Sequence, residues 1–342
     1  MNRADLSERL SMSGTAPTKT YVVEAHADDP APVLARLEGV SSVRPTDDVY
    51  LFEVATGFGD LWVDTLDRRF WRFHTDASVA ESNRFLRRNI EARRDLDWIW
   101  LSSGQLRSVW PQARRKAVLT DFRSGRLTSG VSPASTLRLQ LKGDAADAIT
   151  DLISSDPRYR SALAFDRIQI HADEPEYGTV EEVISRRGKF LVSGDSFELH
   201  SAIVSSVVDR YRAFVEACEG RGMRWSGLGD EGGGRLSGSV ISLNFGRPIE
   251  DLRGWIDELV SSRAPFRLWG VPRFEDGIAE VDAVDLHIGH RLRLAVGEDW
   301  LRVYLPSGSC GNTVARLIAN LQHRFDGSLT LVDNELEHLR IA

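Results

Sequence analysis

The feature that most constrains this chain is a recurrence. Short alternating apolar runs and amphipathic helical stretches follow one another in a similar order about three times along 342 residues. Alternation of period two marks strands, and apolar positions at i, i+3, i+4 and i+7 mark helices. The first pass opens on Tyr21-Val22-Val23-Glu24-Ala25 and continues through a short helix bearing Val33, Leu34 and Leu37. Strands at 49–54, 61–63 and 70–74 follow, with a turn at Asp67-Arg68-Arg69, then a helix over 78–92 and a strand at 98–101.

The second pass starts at 137–141 and holds a helix marked by Ala145, Ala148, Ile149, Leu152 and Ile153, then strands at 167–171, 180–184 and 189–192. Its closing helix carries one apolar stripe, Val204, Val207, Val208, Tyr211, Phe214, Val215 and Cys218, ended by Gly220-Arg221-Gly222. The third pass runs from 240–245 through a helix opened by Pro248, four strand-like runs and a helix with Val314, Leu317, Ile318, Leu321 and Phe325 to a last strand at 328–332. The expectation is an α+β chain of about three tandem β-α-β-β-α-β units, with antiparallel sheets backed by helices. Gly- and Ser-rich stretches at 124–133 and 226–238 suggest the cuts. The predicted parts are a flexible tail (1–20), a basic, Trp-rich domain (21–130) and two repeat units (136–225 and 238–333).

Composition narrows the class. With 42% hydrophobic and 27% charged residues the chain is ordinary globular material, and no apolar run approaches the ~20 residues a spanning helix requires. Two cysteines, Cys218 and Cys310, exclude a disulfide framework and point to a cytoplasmic setting. Cys218 lies on an apolar helix face and is expected to be core. Cys310, in Ser307-Gly308-Ser309-Cys310-Gly311 ahead of a helix, is placed where a helix N-terminus activates a thiol.

Three motifs invite chemistry. His287-Ile288-Gly289-His290 spells a nucleotidyl-transfer signature but sits between strands, so a hairpin turn with Gly289 at its tip is expected. Gly227-Leu228-Gly229-Asp230-Glu231-Gly232 has nucleotide-loop spacing without the helix N-terminus that would hold a phosphate, and is read as linker. Asp64, Asp67, His74 and Asp76 form the densest group of potential metal ligands. An arginine among them speaks against a cation, and the expectation is no metal and no cofactor.

Charge is distributed unevenly. Residues 66–126 hold 14 Lys plus Arg against 7 Asp plus Glu, although the whole chain has a formal charge of −7. Arg68, Arg69 and Arg72 interleave with aromatics, Arg84, Arg87, Arg88 and Arg94 fall near one helix face, and Arg114, Arg115 and Lys116 follow Trp110. Such a pattern can track a phosphate backbone and stack bases, or meet an acidic protein surface.

Around Gly188-Lys189, residues 183–194 followed by the long helix over 201–218 resemble the hairpin and terminal helix of TATA-binding-protein-like repeats. That resemblance implies a curved antiparallel sheet backed by helices, as does a generic ferredoxin-like repeat. In the DNA-bending members a phenylalanine stands three residues before the glycine; Ser185 stands there here, so DNA kinking is not implied. The functional expectation is a non-enzymatic binding or scaffolding subunit, contacting a protein partner or DNA or RNA through 66–126, and not a membrane. The alternative is an enzyme or small-ligand sensor using the Asp64–Asp76 group or the Cys310 loop.

Overall fold

In a computed structural model the described residues are 2–12, 17–122, 136–228 and 233–332. The first segment comprises α1 (Arg3–Met12), β1 (Thr18–Ala25), α2 (Pro30–Ala35), β2 (Val40–Pro45), β3 (Leu51–Thr56), β4 (Gly59–Asp64), β5 (Phe70–Thr75), α3 (Val79–Glu91), β6 (Leu96–Trp98), α4 (Ser103–Arg107) and β7 (Arg114–Phe122). The second holds β8 (Leu137–Lys142), α5 (Ala146–Ser155), α6 (Pro157–Arg160), β9 (Phe165–Glu174), β10 (Gly178–Ser185), β11 (Lys189–Gly194) and α7 (Phe197–Gly220). A ribbon of β12 (Arg224–Leu228) and β13 (Gly233–Ser237) leads to β14 (Ile241–Asn244), α8 (Leu252–Leu259), β15 (Leu268–Glu275), β16 (Ile278–Asp285), β17 (Arg291–Val296), β18 (Trp300–Tyr304), α9 (Asn312–Arg324) and β19 (Thr330–Leu331).

The fold is α+β, with antiparallel sheets backed by helices. Strands β1 to β11 make one sheet, in the order β2-β3-β4-β5-β1-β11-β10-β9-β7-β8 with β6 also on β1. The second sheet runs β15-β16-β17-β18-β14-β19. Residues 18–98 and 241–331 therefore share one element order, β-α-β-β-β-β-α-β, and one strand path. The second pass departs from that path, because β7 is inserted between β9 and β8.

Strand β1 joins the first two segments. One of its edges pairs with β5 through Lys19–Glu24, while the other is divided between β11 (Thr18–Tyr21) and β6 (Val23–Ala25). Its β-branched and aromatic centre suits a strand covered on both faces, and all eight residues are buried. Glu24 is buried with them.

Helix α9 lies in the interior, with Asn312 through His323 all buried. Its polar side meets other polar groups rather than water: Asn320 accepts from Arg186 Nη1 (2.9 Å), Gln322 from the Ser103 backbone N–H (2.9 Å), and Asn312 Nδ2 donates to Trp98 O (3.2 Å). Buried polar groups must be paired in this way or cost stability.

Several expectations change. Residues 3–12, read as tail, form a helix whose Leu6 and Leu10 pack with Leu51, Trp62 and Phe197. Ser226–Gly238 was read as linker but contributes the β12–β13 ribbon, with 229–232 outside the described residues. Pro248 precedes α8, which starts instead at the Asp251 cap. The proposed cut at 124–133 lies outside the described residues, and β7 and β8 on either side of it are paired. Among the described residues no helix is long and apolar enough to cross a membrane.

Candidate metal centre

Four side chains from distant parts of the chain converge at the end of β1. Glu24 is its penultimate residue, and His26 follows it, tied by its backbone N–H to Asp95 O (2.9 Å). His287 sits in the β16–β17 turn, where its N–H donates to Asp285 Oδ1 (3.0 Å) and Gly289 takes φ +80°. Cys310 precedes Gly311, the N-cap of α9. There Gly311 lets the helix end approach α7, since a Cβ would stand 2.1 Å from Val215 O.

The four donor atoms all lie within 4.8 Å of one another. Cys310 Sγ is 3.4 and 3.5 Å from the two Glu24 oxygens and 3.5 Å from His26 Nε2. Glu24 Oε2 is 3.5 Å from His26 Nε2 and 3.4 Å from His287 Nε2. A tetrahedron with ligands at about 2.0–2.3 Å has edges of about 3.3–3.8 Å. Four of the six edges fall in that range, and the two from His287 to His26 and to Cys310 lie within 4.8 Å.

His287 adds a second argument. Its side chain is fully buried, yet neither ring nitrogen makes an aligned hydrogen bond. Burying unsatisfied nitrogens is costly, and a cation at the convergence point would satisfy Nε2.

A Cys–His–Glu relay would be arranged differently. In a relay the base presents one nitrogen to the nucleophile and the other to the carboxylate. Here the same His26 Nε2 faces both Cys310 Sγ and Glu24 Oε2. Burial and the Glu24 charge push the Cys310 thiol well above its ordinary value, against the opposing pull of Arg69 and the Asn312 backbone. The pull of the helix N-terminus, which the sequence suggested, is present through the Asn312 backbone but is outweighed by burial and Glu24. A cation held here would reverse that balance, because a coordinating thiol is deprotonated outright.

Around this group lies a supporting shell. Arg69, in the β4–β5 turn, donates through Nε to Glu24 Oε1 (2.8 Å) and through Nη1 and Nη2 to Glu219 (3.0 and 2.6 Å). Glu219 in turn accepts the Gly311 N–H at the start of α9 (2.8 Å). Burial opposes ionisation of Glu24, but His26, His287 and Arg69 outweigh it and hold the carboxyl well below the usual range. Arg69 thus fixes Oε1 and leaves Oε2 to the histidines, while Glu219 offsets the arginine's charge.

The group borders a cavity of about 810 Å³, whose lining includes His26, Arg68, Arg69, His290 and Cys310. Glu24 and His287 lie fully buried behind that lining.

The sequence-based candidates are distributed elsewhere. Asp64 pairs with Arg3 (2.8 Å), Asp67 with Arg212, and His74 bonds Thr20 Oγ1 (2.8 Å), so these side chains have other partners and do not form a ligand set. Arg84, Arg87, Arg88, Arg94 and Arg114 are exposed. Arg87 pairs with Glu91 (3.6 Å), Arg88 with Glu38, Arg115 with Asp147 and Lys116 with Asp144 (2.6 Å). Arg72 on β5 and Arg115 on β7 are separated by four intervening strands, about 24 Å at the usual strand spacing. Only Arg68 and Arg69 reach the cavity. Glu24 and His26 escaped notice, though an acid inside the apolar run Tyr21–Ala25 was a usable signal.

A family model described as MJECL33-like protein matches residues 4–339. The chain belongs to that family. It is 26% identical over 355 residues to "Uncharacterized protein MJECL33" of Methanocaldococcus jannaschii, covering 92% of this chain and 85% of that protein. No solved structure matches.

Proposed function

We propose that Glu24, His26, His287 and Cys310 bind a zinc-class divalent cation, and that the adjoining cavity presents it to a small organic molecule as a Lewis-acid enzyme centre. The observation that supports this most is that four of the six donor separations are 3.4–3.5 Å, close to the edges of a tetrahedral site, with all six within 4.8 Å. Nitrogen, thiolate and carboxylate donors together suit zinc better than the harder magnesium or calcium. The charges also balance: a dication offsets Glu24 and a Cys310 thiolate, and Arg69 offsets Glu219. Four protein donors would fill a tetrahedron, so the ion would polarise a carbonyl or activate water only by expanding to five-coordination on the cavity side.

The test is metal content after purification, followed by cobalt titration of the apoprotein. One equivalent with a tetrahedral spectrum and a sulfur-to-metal absorption lost in Cys310→Ser is expected. Failure to take up one equivalent of zinc or cobalt overturns the reading. A second reading, a cation that only clamps the fold, is favoured by ligands coming from both large sheets. In that case metal removal lowers the melting temperature, and small anions leave the cobalt spectrum unchanged.

The shared strand path of 18–98 and 241–331 supports two copies of one unit. A partner-contact role for the exposed α3 arginines is compatible with the metal centre. Arg84→Glu, Arg87→Glu and Arg88→Glu together should then release co-purifying partners, and any DNA or RNA binding should weaken steeply with salt.

A further inference from the structure

We infer that the cavity over this centre takes a small molecule with one anionic group and an apolar portion, and that Arg68 is the residue that selects the anion. The inference rests on the metal-centre reading for what the ligand does, but on separate residues for what the ligand is.

The two adjacent arginines of the β4–β5 turn have divergent roles. Arg69 is engaged by Glu24 and Glu219. Arg68 is exposed and lines the cavity, and among the described residues its guanidinium has no hydrogen-bond or ion-pair partner. Its backbone is fixed, because its carbonyl accepts from Trp71 Nε1 (3.2 Å). A planar guanidinium on a held turn is suited to bidentate capture of a carboxylate or phosphate. His290 lines the same cavity, with a buried Nδ1 that has no hydrogen-bond partner.

The apolar requirement comes from the opposite wall. Val49 and Tyr50 line the cavity while 73% and 41% exposed, and Phe52 and Trp71 continue the surface. Large side chains left open beside a polar floor are usual in small-ligand sites. The same lining limits the charge. Asp28 and Asp29 are exposed there, and Asp29 is already committed as the cap of α2. Two carboxylates beside one free arginine disfavour a diphosphate or a nucleic-acid backbone and leave room for a single anionic group.

The experiment is calorimetric titration of the zinc-loaded full chain with phenylacetate, phenyl phosphate and the neutral phenylacetamide. One of the two anions should bind at least about tenfold more tightly than the amide, as a charge-assisted pair implies. Arg68→Ala should erase that preference, Arg68→Lys should restore part of it, and zinc affinity should be unchanged in both. Equal affinity for acid and amide, a preference that survives Arg68→Ala, or no binding of any probe would overturn the inference. Because zinc uptake is measured on the same samples, loss of the cation reading shows separately. If zinc does not bind, the acid-against-amide comparison is made on the untreated chain with the same criterion.

Discussion

Arg316, buried on α9, donates through Nη1 to Asp97 of the first sheet and through Nη2 to Asp285 of the second. Both carboxylates are buried, and Arg316 Nε also donates to Phe266 O (2.9 Å). Asp285 then fixes the His287 backbone (3.0 Å), so this bridge reaches the candidate metal centre through one turn.

Replacing that guanidinium leaves two buried carboxylates short of a partner. Arg316→Met should therefore cost about 3–5 kcal/mol of unfolding free energy in a urea titration. A loss below about 1 kcal/mol would show that the bridge is not holding the sheets together.

The shell around Glu24 makes a prediction on affinity rather than folding. Arg69→Met should weaken zinc binding by about 10–100-fold, the usual effect of removing a group that orients a ligand. Competition against a chromogenic chelator measures it. Unchanged affinity in a folded variant would remove Arg69 from the supporting shell.

His74 gives the pH dependence. Burial, with His200 close by, pushes its imidazole down to about 3, against 6.5 for the free group. Between those values the unfolded chain holds a proton that the folded chain does not, so stability falls as pH drops below about 6.5. The slope approaches about 1.4 kcal/mol per pH unit. From pH 6.5 to 4.5 the loss should be about 2 kcal/mol smaller in His74→Gln, read from urea midpoints. An identical loss would place the titration elsewhere.

Helix α1 should behave as part of the fold. Leu6 and Leu10 are buried against Trp62 and Phe197, so Leu6→Ala should cost about 2 kcal/mol or more. Burial opposes the charge on Asp64, but Arg3 overcomes it and lowers the carboxyl's pKa. That pair contributes fully above about pH 4, the usual unfolded value, and its contribution is lost as pH falls through the lower folded value. Insensitivity of the unfolding free energy to Leu6→Ala would return α1 to a tail.

Much of the secondary structure was determined locally. The stripe from Val204 to Cys218 specified α7, and the glycine in 287–290 specified a hairpin tip, because backbone geometry and side-chain periodicity act over a few residues. Residues 3–12 read as tail because Leu6 and Leu10 have little reason to form a helix until Trp62 and Phe197 cover them. Helix α9 presents the same limit. Its apolar positions were legible, but its polar ones were answered by Asp97, Asp285 and Arg186, which lie far away in sequence. The candidate site is wholly tertiary. His287 and Cys310 each stood out alone, and Glu24 and His26 not at all. Their donor atoms meet only because β1 ends where the β16–β17 turn and the start of α9 pack against it, and packing over more than 280 residues of chain leaves no local spacing to read.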